Sequence, residues 1–104
     1  MTQKHLRQIE KRIDAIKEKL GAIDAMRPGS LSRQYKDPAH QTGAYYQLSY
    51  TRDMKSRTEY VARDALPRVR RQIDNYKRFK ALTAQWVDLG IAHSRLQTKL
   101  AREP

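Results

Sequence analysis

A chain of 104 residues has room for one domain and is too short to carry a catalytic domain beside a separate binding domain. It contains 22 Lys and Arg against 11 Asp and Glu, so its formal net charge is +11 and its expected partner is a polyanion, nucleic acid first. Because the sequence has no cysteine, disulfides, thiolate zinc sites and cysteine nucleophiles are excluded.

The first element in chain order is a helix predicted over residues 1–27. Its apolar residues recur at alternating steps of three and four, the a/d stripe of a heptad: Leu6, Ile9, Ile13, Ile16, Leu20 and Ile23. Gly21 weakens the last turn, and Pro28 with Gly29 is expected to end the helix near Met26 or Arg27. A seam this short needs a partner helix to be stable.

Residues 30–62 are predicted to form a basic β-ribbon. Tyr46, Leu48 and Tyr50 alternate with more polar residues from Tyr45 to Thr51. After a turn at Arg52-Asp53-Met54, the set Lys55, Arg57, Glu59 and Val61 alternates with Ser56, Thr58 and Tyr60. We therefore expect a β-hairpin in which Tyr46 and Tyr50 pack in the core. Residues 31–35 could add a third strand, which would give a two- to three-stranded antiparallel sheet.

A long helix is predicted over residues 65–101, with Asp64 as its N-cap and Pro67 in the tolerant first turn. One apolar stripe comprises Leu66, Val69, Ile73 and Tyr76, and a second comprises Phe79, Leu82, Trp86, Leu89, His93, Leu96 and Leu100. The phase slips by one residue between the stripes, so the two halves are expected to face different neighbours. The fold class is α+β in a single domain, residues 1–104, with the long C-terminal helix pairing back on the first helix.

Positive charge is concentrated in residues 27–80, which hold thirteen Lys and Arg against five Asp and Glu, a net of +8. The arginine guanidinium forms bidentate hydrogen bonds with phosphate and with guanine, and a two-stranded ribbon fits a DNA major groove. The candidate nucleic-acid-binding residues are Arg33, Lys36, Tyr45, Gln47, Arg52, Lys55, Arg57, Arg63, Arg70, Arg71, Lys77 and Arg78. The alternative is that the tyrosines only pack the sheet and that the basic residues form a solvated rim.

Catalytic chemistry is not expected from this sequence. It contains neither a phosphate-binding loop nor a GxGxxG stretch, and its acidic residues are scattered. His93 falls in the second helical stripe, where a seam position is the better interpretation than a metal ligand, and His40 beside Asp37 is only a weak metal or acid-base signal. We therefore predict a non-enzyme with no cofactor and no metal.

Several ordered runs in the sequence resemble a known protein family. They are residues 27–35, residues 43–50, residues 57–61 and residues 69–79. Together they are similar to a family of small uncharacterised bacterial and archaeal proteins often met near mobile elements, and the likeness covers about residues 6–96. Members of that family place cysteines in the loop after the Tyr35 strand, which implies a small metal knuckle, but this chain has no cysteine there. Three strands followed by a helix also resemble the sheet-reading domains of phage integrases.

These observations favour a nucleic-acid-binding accessory protein of a mobile element or phage that contacts duplex DNA. One alternative is RNA binding, with Tyr45 and Tyr35 stacking unpaired bases. Another is a coiled-coil adaptor whose helical seams bind a protein partner or a second copy. No run approaches the ~20 apolar residues of a membrane span and the start of the chain is charged, so we expect a soluble cytoplasmic protein without membrane contact.

Overall fold

The structure is a computed structural model that describes residues 2–102. The elements in chain order are helix α1 (Thr2–Gly21), strands β1 (Ser30–Asp37), β2 (Thr42–Arg52) and β3 (Lys55–Val61), a 3-10 turn (Arg63–Ala65) and helix α2 (Leu66–Arg102). They pack as two compact units: a helical unit, up to Asp24 and from Arg78 onward, and a sheet unit, Ala25–Lys77. The predicted α+β class is confirmed. Over the described residues, no helix is long and apolar enough to cross a membrane.

The helical unit is built from the two predicted apolar stripes. Ile16 of α1 and Leu82 and Leu89 of α2 are buried together. The other α1 residues packed against this cluster are Ile9, Ile13, Leu20 and Ile23. The predicted pairing of the long helix with the first helix is therefore confirmed, and each stripe provides the apolar partner that the other needs.

Helix α1 ends at Gly21, earlier than the end predicted near Met26 or Arg27. The amide of Ile23 donates to the carbonyl of Leu20, which tightens the last turn. Beyond it, the backbone bonds to α2 instead of continuing the helix: the amide of Arg27 donates to the carbonyl of Gln72. The predicted end was too late because Gly21 and the tightened turn, and not Pro28 and Gly29, end the helix.

The three strands form one antiparallel sheet in the order β1-β2-β3. Ser49 lies opposite Ser30 on one side and opposite Thr58 on the other, which fixes the register of both pairs. The third strand that the sequence left open, around Leu31 and Tyr35, is thus present. Strands β2 and β3 are joined by Asp53 and Met54, both with positive φ, as in the two-residue hairpin turns that match strand twist.

One face of the sheet packs on the first half of α2. Leu48, Val61, Leu66, Val69 and Ile73 form its buried cluster. Leu31, Tyr46, Tyr50 and Ala65 pack against them, so the expected core role of both tyrosines is confirmed. The two halves of α2 therefore have different neighbours, as the slip in apolar phase predicts.

The start of α2 differs in detail from the expectation. The helix begins at Leu66, and Pro67 stands in its first turn as predicted. Asp64 is not the N-cap, because it lies inside the 3-10 turn, whose own N-cap is Ala62. That short turn carries the chain from β3 into the helix.

Candidate nucleic-acid interface

The sheet has two chemically different faces. Residues directly opposite each other on paired strands lie on the same face. Leu48 and Val61 mark the back face, which packs on α2. The other face is called here the open face. Successive residues along every strand lie alternately on the open face and on the back face.

The open face is rich in uncharged hydrogen-bonding side chains. Its members are Ser30, Ser32, Gln34 and Lys36 of β1, Tyr45, Gln47, Ser49 and Thr51 of β2, and Ser56, Thr58 and Tyr60 of β3. Lys36, at one end of β1, is the single charged residue among these positions. Such a surface can donate and accept hydrogen bonds without the desolvation cost of a buried charge.

One end of the open face is a hydroxyl-lined groove of about 420 Å³. Ser49, Thr51, Ser56 and Thr58 supply its hydroxyl groups, and the chain at Pro28–Ser30 borders it. Across the β2–β3 pair, the Thr51 and Ser56 hydroxyl oxygens are 3.1 Å apart and share a hydrogen bond. The groove therefore presents several small groups that both donate and accept.

The other end of the open face is a second groove, lined by Tyr35, Lys36, Ala44, Tyr45 and Tyr60 and called here the tyrosine groove. Tyr60 is 72% exposed although it is a large aromatic residue. Tyr45 is half-buried, and so is Gln47, which lies directly opposite Tyr60. Of the candidate residues named from the sequence, Lys36, Tyr45 and Gln47 thus share the open face.

The predicted basic residues of the ribbon lie on the back face, not on the open face. Arg52 and Lys55 are directly opposite each other beside the turn, and Arg57 is opposite Tyr50. We call these three exposed cations the basic hairpin tip. Two like charges directly opposite across a strand pair repel, so a bound anion would relieve this repulsion.

Arg27 has a structural role on the back face. Its Nη2 donates to Oε2 of Glu59 at 2.8 Å, and its guanidinium lies 5.3 Å from the ring centroid of Tyr50. The hydroxyl of Tyr50 donates to the other carboxylate oxygen of Glu59. The hydrogen bond from Arg27, followed by that from Tyr50, lowers the pKa of Glu59 below its usual 4.5. Glu59 therefore holds Arg27 in place, and Arg57 of the hairpin tip adds a weaker attraction to the same carboxylate.

The remaining predicted bases are exposed and lie outside the open face. Arg33 is on the back face of β1, with its guanidinium 5.4 Å from the ring of Tyr35. Arg63 belongs to the 3-10 turn, and Arg71 is on α2. Arg70 and Lys77 of α2 line a groove with the start of β1. Arg78 is the first α2 residue of the helical unit, so it is not part of the sheet unit.

The charge is divided between the units more evenly than the sequence partition indicated. The sheet unit has eleven Lys and Arg against five Asp and Glu, a net of +6, and the rest of the chain has eleven against six, a net of +5. The difference arises because Arg78 and Lys80 belong to the helical unit. Net charge alone therefore does not single out the sheet; the arrangement of its side chains does.

Two of the three histidines, His40 and His93, lie beside carboxylates. His93 Nε2 is 3.1 Å from Oε2 of Glu10 in the helical unit, which agrees with its predicted seam position. His40 Nδ1 is 2.7 Å from Oδ2 of Asp37 in the loop between β1 and β2. Among residues 2–102, no group of three or more His, Cys, Asp or Glu is placed to hold a metal ion.

Comparison with known proteins places the sheet inside a family domain. A family model described as a domain of unknown function, DUF6788, matches residues 6–71. The chain belongs to this family. The DUF6788 match includes all three strands, most of α1 and the first turns of α2. No curated protein and no solved structure matches the chain.

Sequence reasoning missed part of this DUF6788 surface. Tyr60 and the hydroxyls of Ser49 and Thr58 were not named as candidates, although they dominate the open face. A usable signal was present, because Val61 and Leu48 are the apolar residues of their strands and every second residue from them shares their face. That rule assigns Arg57 and Lys55 to the back face and Tyr60 to the open face.

Proposed function

We propose that the protein is a nucleic-acid-binding accessory protein whose sheet unit contacts duplex DNA, in the service of a mobile element or phage. The observation that carries the proposal is the open face: a row of uncharged hydrogen-bonding side chains within a unit of net charge +6. Base edges are recognised by such groups, while phosphates are held by cations.

Electrostatics supports a polymeric anion as the partner. Attraction between a basic surface and the phosphate backbone supplies affinity that does not depend on sequence. Arg52 and Lys55 oppose each other on the back face at the hairpin tip, and Lys36 lies on the open face at the opposite end of the sheet. Cations at both ends of the sheet can contact phosphates that flank it, while the open-face side chains between them reach the bases.

The two-stranded form of the β2–β3 hairpin supports a groove-binding mode. A B-DNA major groove is about 12 Å wide and admits a two-stranded ribbon. On the open face of this ribbon, Gln47 can pair with adenine, and Ser49 and Thr58 can bond to several base edges. The rigid attachment of the back face to α2 would hold these groups in place.

RNA is the second candidate, and the exposure of Tyr60 favours it. Unpaired RNA bases stack on exposed aromatic rings. Tyr45 and Tyr35 also line the tyrosine groove, but Tyr35 extends from the back face, where the Arg33 guanidinium lies 5.4 Å from its ring. A coiled-coil adaptor has less support, because the seam residues Ile16, Leu82 and Leu89 are buried within one chain.

Binding of a fluorescent 20-base-pair duplex at rising salt tests the proposal. We expect about five phosphate contacts, so affinity should fall about 10²- to 10³-fold between 50 and 200 mM salt. Single-stranded DNA and structured RNA serve as competitors that separate the candidates. Binding that is absent at 50 mM salt, or that does not change with salt, would contradict the proposed function.

A further inference from the structure

Two tyrosines that line the tyrosine groove are diagonal neighbours on the open face. Tyr60 lies opposite Gln47, so Tyr45 is its diagonal neighbour on the adjacent strand. Diagonal neighbours on antiparallel strands are about 7–8 Å apart. Stacked bases are spaced about 3.4 Å apart, so a base between two rings needs about 7 Å. The backbone spacing of Tyr45 and Tyr60 therefore leaves room for a planar ring between their side chains, and both side chains line the groove.

Lys36 adds a cation at the end of this groove. Gly43 faces it on β2, and a Cβ added to Gly43 would lie 3.0 Å from Cβ and 3.3 Å from Cγ of Lys36. The stem of Lys36 thus crosses the space that a side chain at position 43 would fill. The glycine lets the lysine lie along the groove, where its ammonium can meet a phosphate.

Amide groups border the same site. Gln47 is directly opposite Tyr60, and Gln34 is directly opposite Tyr45. An amide can donate to and accept from the edge of a base. The groove therefore has aromatic rings and one cation in its lining, with the amide of Gln47 beside Tyr60, and aromatic rings with cations are the groups that hold single nucleotides in single-stranded nucleic-acid sites.

We infer that the tyrosine groove binds one unpaired nucleotide, with its base between Tyr45 and Tyr60 and its phosphate at Lys36. The inference rests on the proposed function and narrows its ligand to DNA that contains an unpaired base, such as a bulge within a duplex. A fully paired duplex offers its bases only by their edges, so it leaves the groove empty. Stacking accepts any base, so the preference is for an unpaired position and not for a sequence.

A duplex with a single bulged 2-aminopurine tests the inference, with the same duplex carrying the base paired as its control. Stacking on the tyrosines should quench the fluorescence of the bulged base. The full-length chain should bind the bulged duplex more tightly by about 5- to 150-fold, the range found for one stacked base. RNA of the same design that binds more tightly than DNA would support the groove and overturn DNA as the polymer.

Variants separate the groove from the rest of the surface. Tyr60→Ala, at an exposed position that the fold does not need, should abolish the preference for the bulge and the quenching, and Tyr60→Phe should keep both. Val87→Ala, at an exposed position of the helical unit, is the matched control and should change neither. Equal affinity for bulged and paired duplexes would overturn the inference and leave the proposed function standing. Failure of the unaltered protein to bind either duplex would overturn the proposed function itself.

Discussion

Gly29→Ala is expected to cost the sheet unit about 2–5 kcal/mol. Gly29 has a φ of +143°, a conformation that other L-residues rarely adopt. An added Cβ would lie 2.5 Å from Cδ1 of Leu48 and 3.2 Å from the carbonyl oxygen of Ser49. Leu48 is 0% exposed, so its side chain has no free space to move into. A unit of this size has only about 3–8 kcal/mol of stability, so the variant should be largely unfolded there.

The aromatic residues of the chain are spectroscopic probes that distinguish the two units. All six tyrosines lie within the sheet unit, and the one tryptophan, Trp86, lies in the helical unit. Urea unfolding can be monitored by the near-ultraviolet circular dichroism of the tyrosines, and in Gly29→Ala this signal should be lost at low urea concentration. Gly90→Ala is the matched control, because its Cβ meets nothing within 4 Å and the position is inside α2; it should stabilise by about 0.5–1 kcal/mol. A Gly29→Ala midpoint equal to that of the unaltered protein would contradict the assigned packing of Gly29.

Removing the basic hairpin tip is expected to weaken duplex binding by about 10²-fold at 50 mM salt. The triple variant replaces Arg52, Lys55 and Arg57 with alanine. Each phosphate that the variant no longer neutralises should lower the slope of log affinity against log salt by about one, so the slope should fall by about three. The three side chains are exposed, and Arg52 faces Lys55, so the substitution removes a repulsion and should leave the fold intact.

The matched control removes three cations from the helical unit. Lys4, Arg7 and Lys11 lie together along α1, and their replacement by alanine lowers the net charge by the same amount. We expect the affinity of this variant to fall by less than about fivefold, because only long-range attraction changes. Equal decreases in the two triple variants would mean that binding follows net charge and not the sheet. Fluorescence anisotropy with one labelled duplex measures both.

The fold was predictable where the signal is local. The apolar spacing of Leu6 to Ile23 and of Leu82 to Leu100 marks two helices that need each other, and the alternation around Leu48 marks a strand. These patterns follow from the 3.6-residue period of a helix and the two-residue period of a strand. Both periods are local properties of the backbone and do not depend on distant contacts.

The parts that escaped prediction depend on distant partners. The segment after α1 bonds through the Arg27 amide to the carbonyl of Gln72, and the Arg27 side chain is held by Glu59, 32 residues away. Neither contact leaves a periodic mark in the sequence. The sequence predicted the region of the site but not its face. Most candidate residues lie in the sheet unit, but the face on which each one lies depends on whether it is an odd or an even number of residues from a buried residue of its strand. Counted from the buried Val61, this alternation places Tyr60 on the open face and Arg57 on the back face.

The most direct test of the central proposal is a titration of the ¹⁵N-labelled protein with duplex DNA, followed by amide chemical shifts. If the open face binds the duplex, the amides of Ser32, Gln47, Ser49, Thr58 and Tyr60 should shift together, and those of α1 should stay in place. Shifts confined to α1 and to the second half of α2, with the strands unchanged, would contradict binding through the sheet.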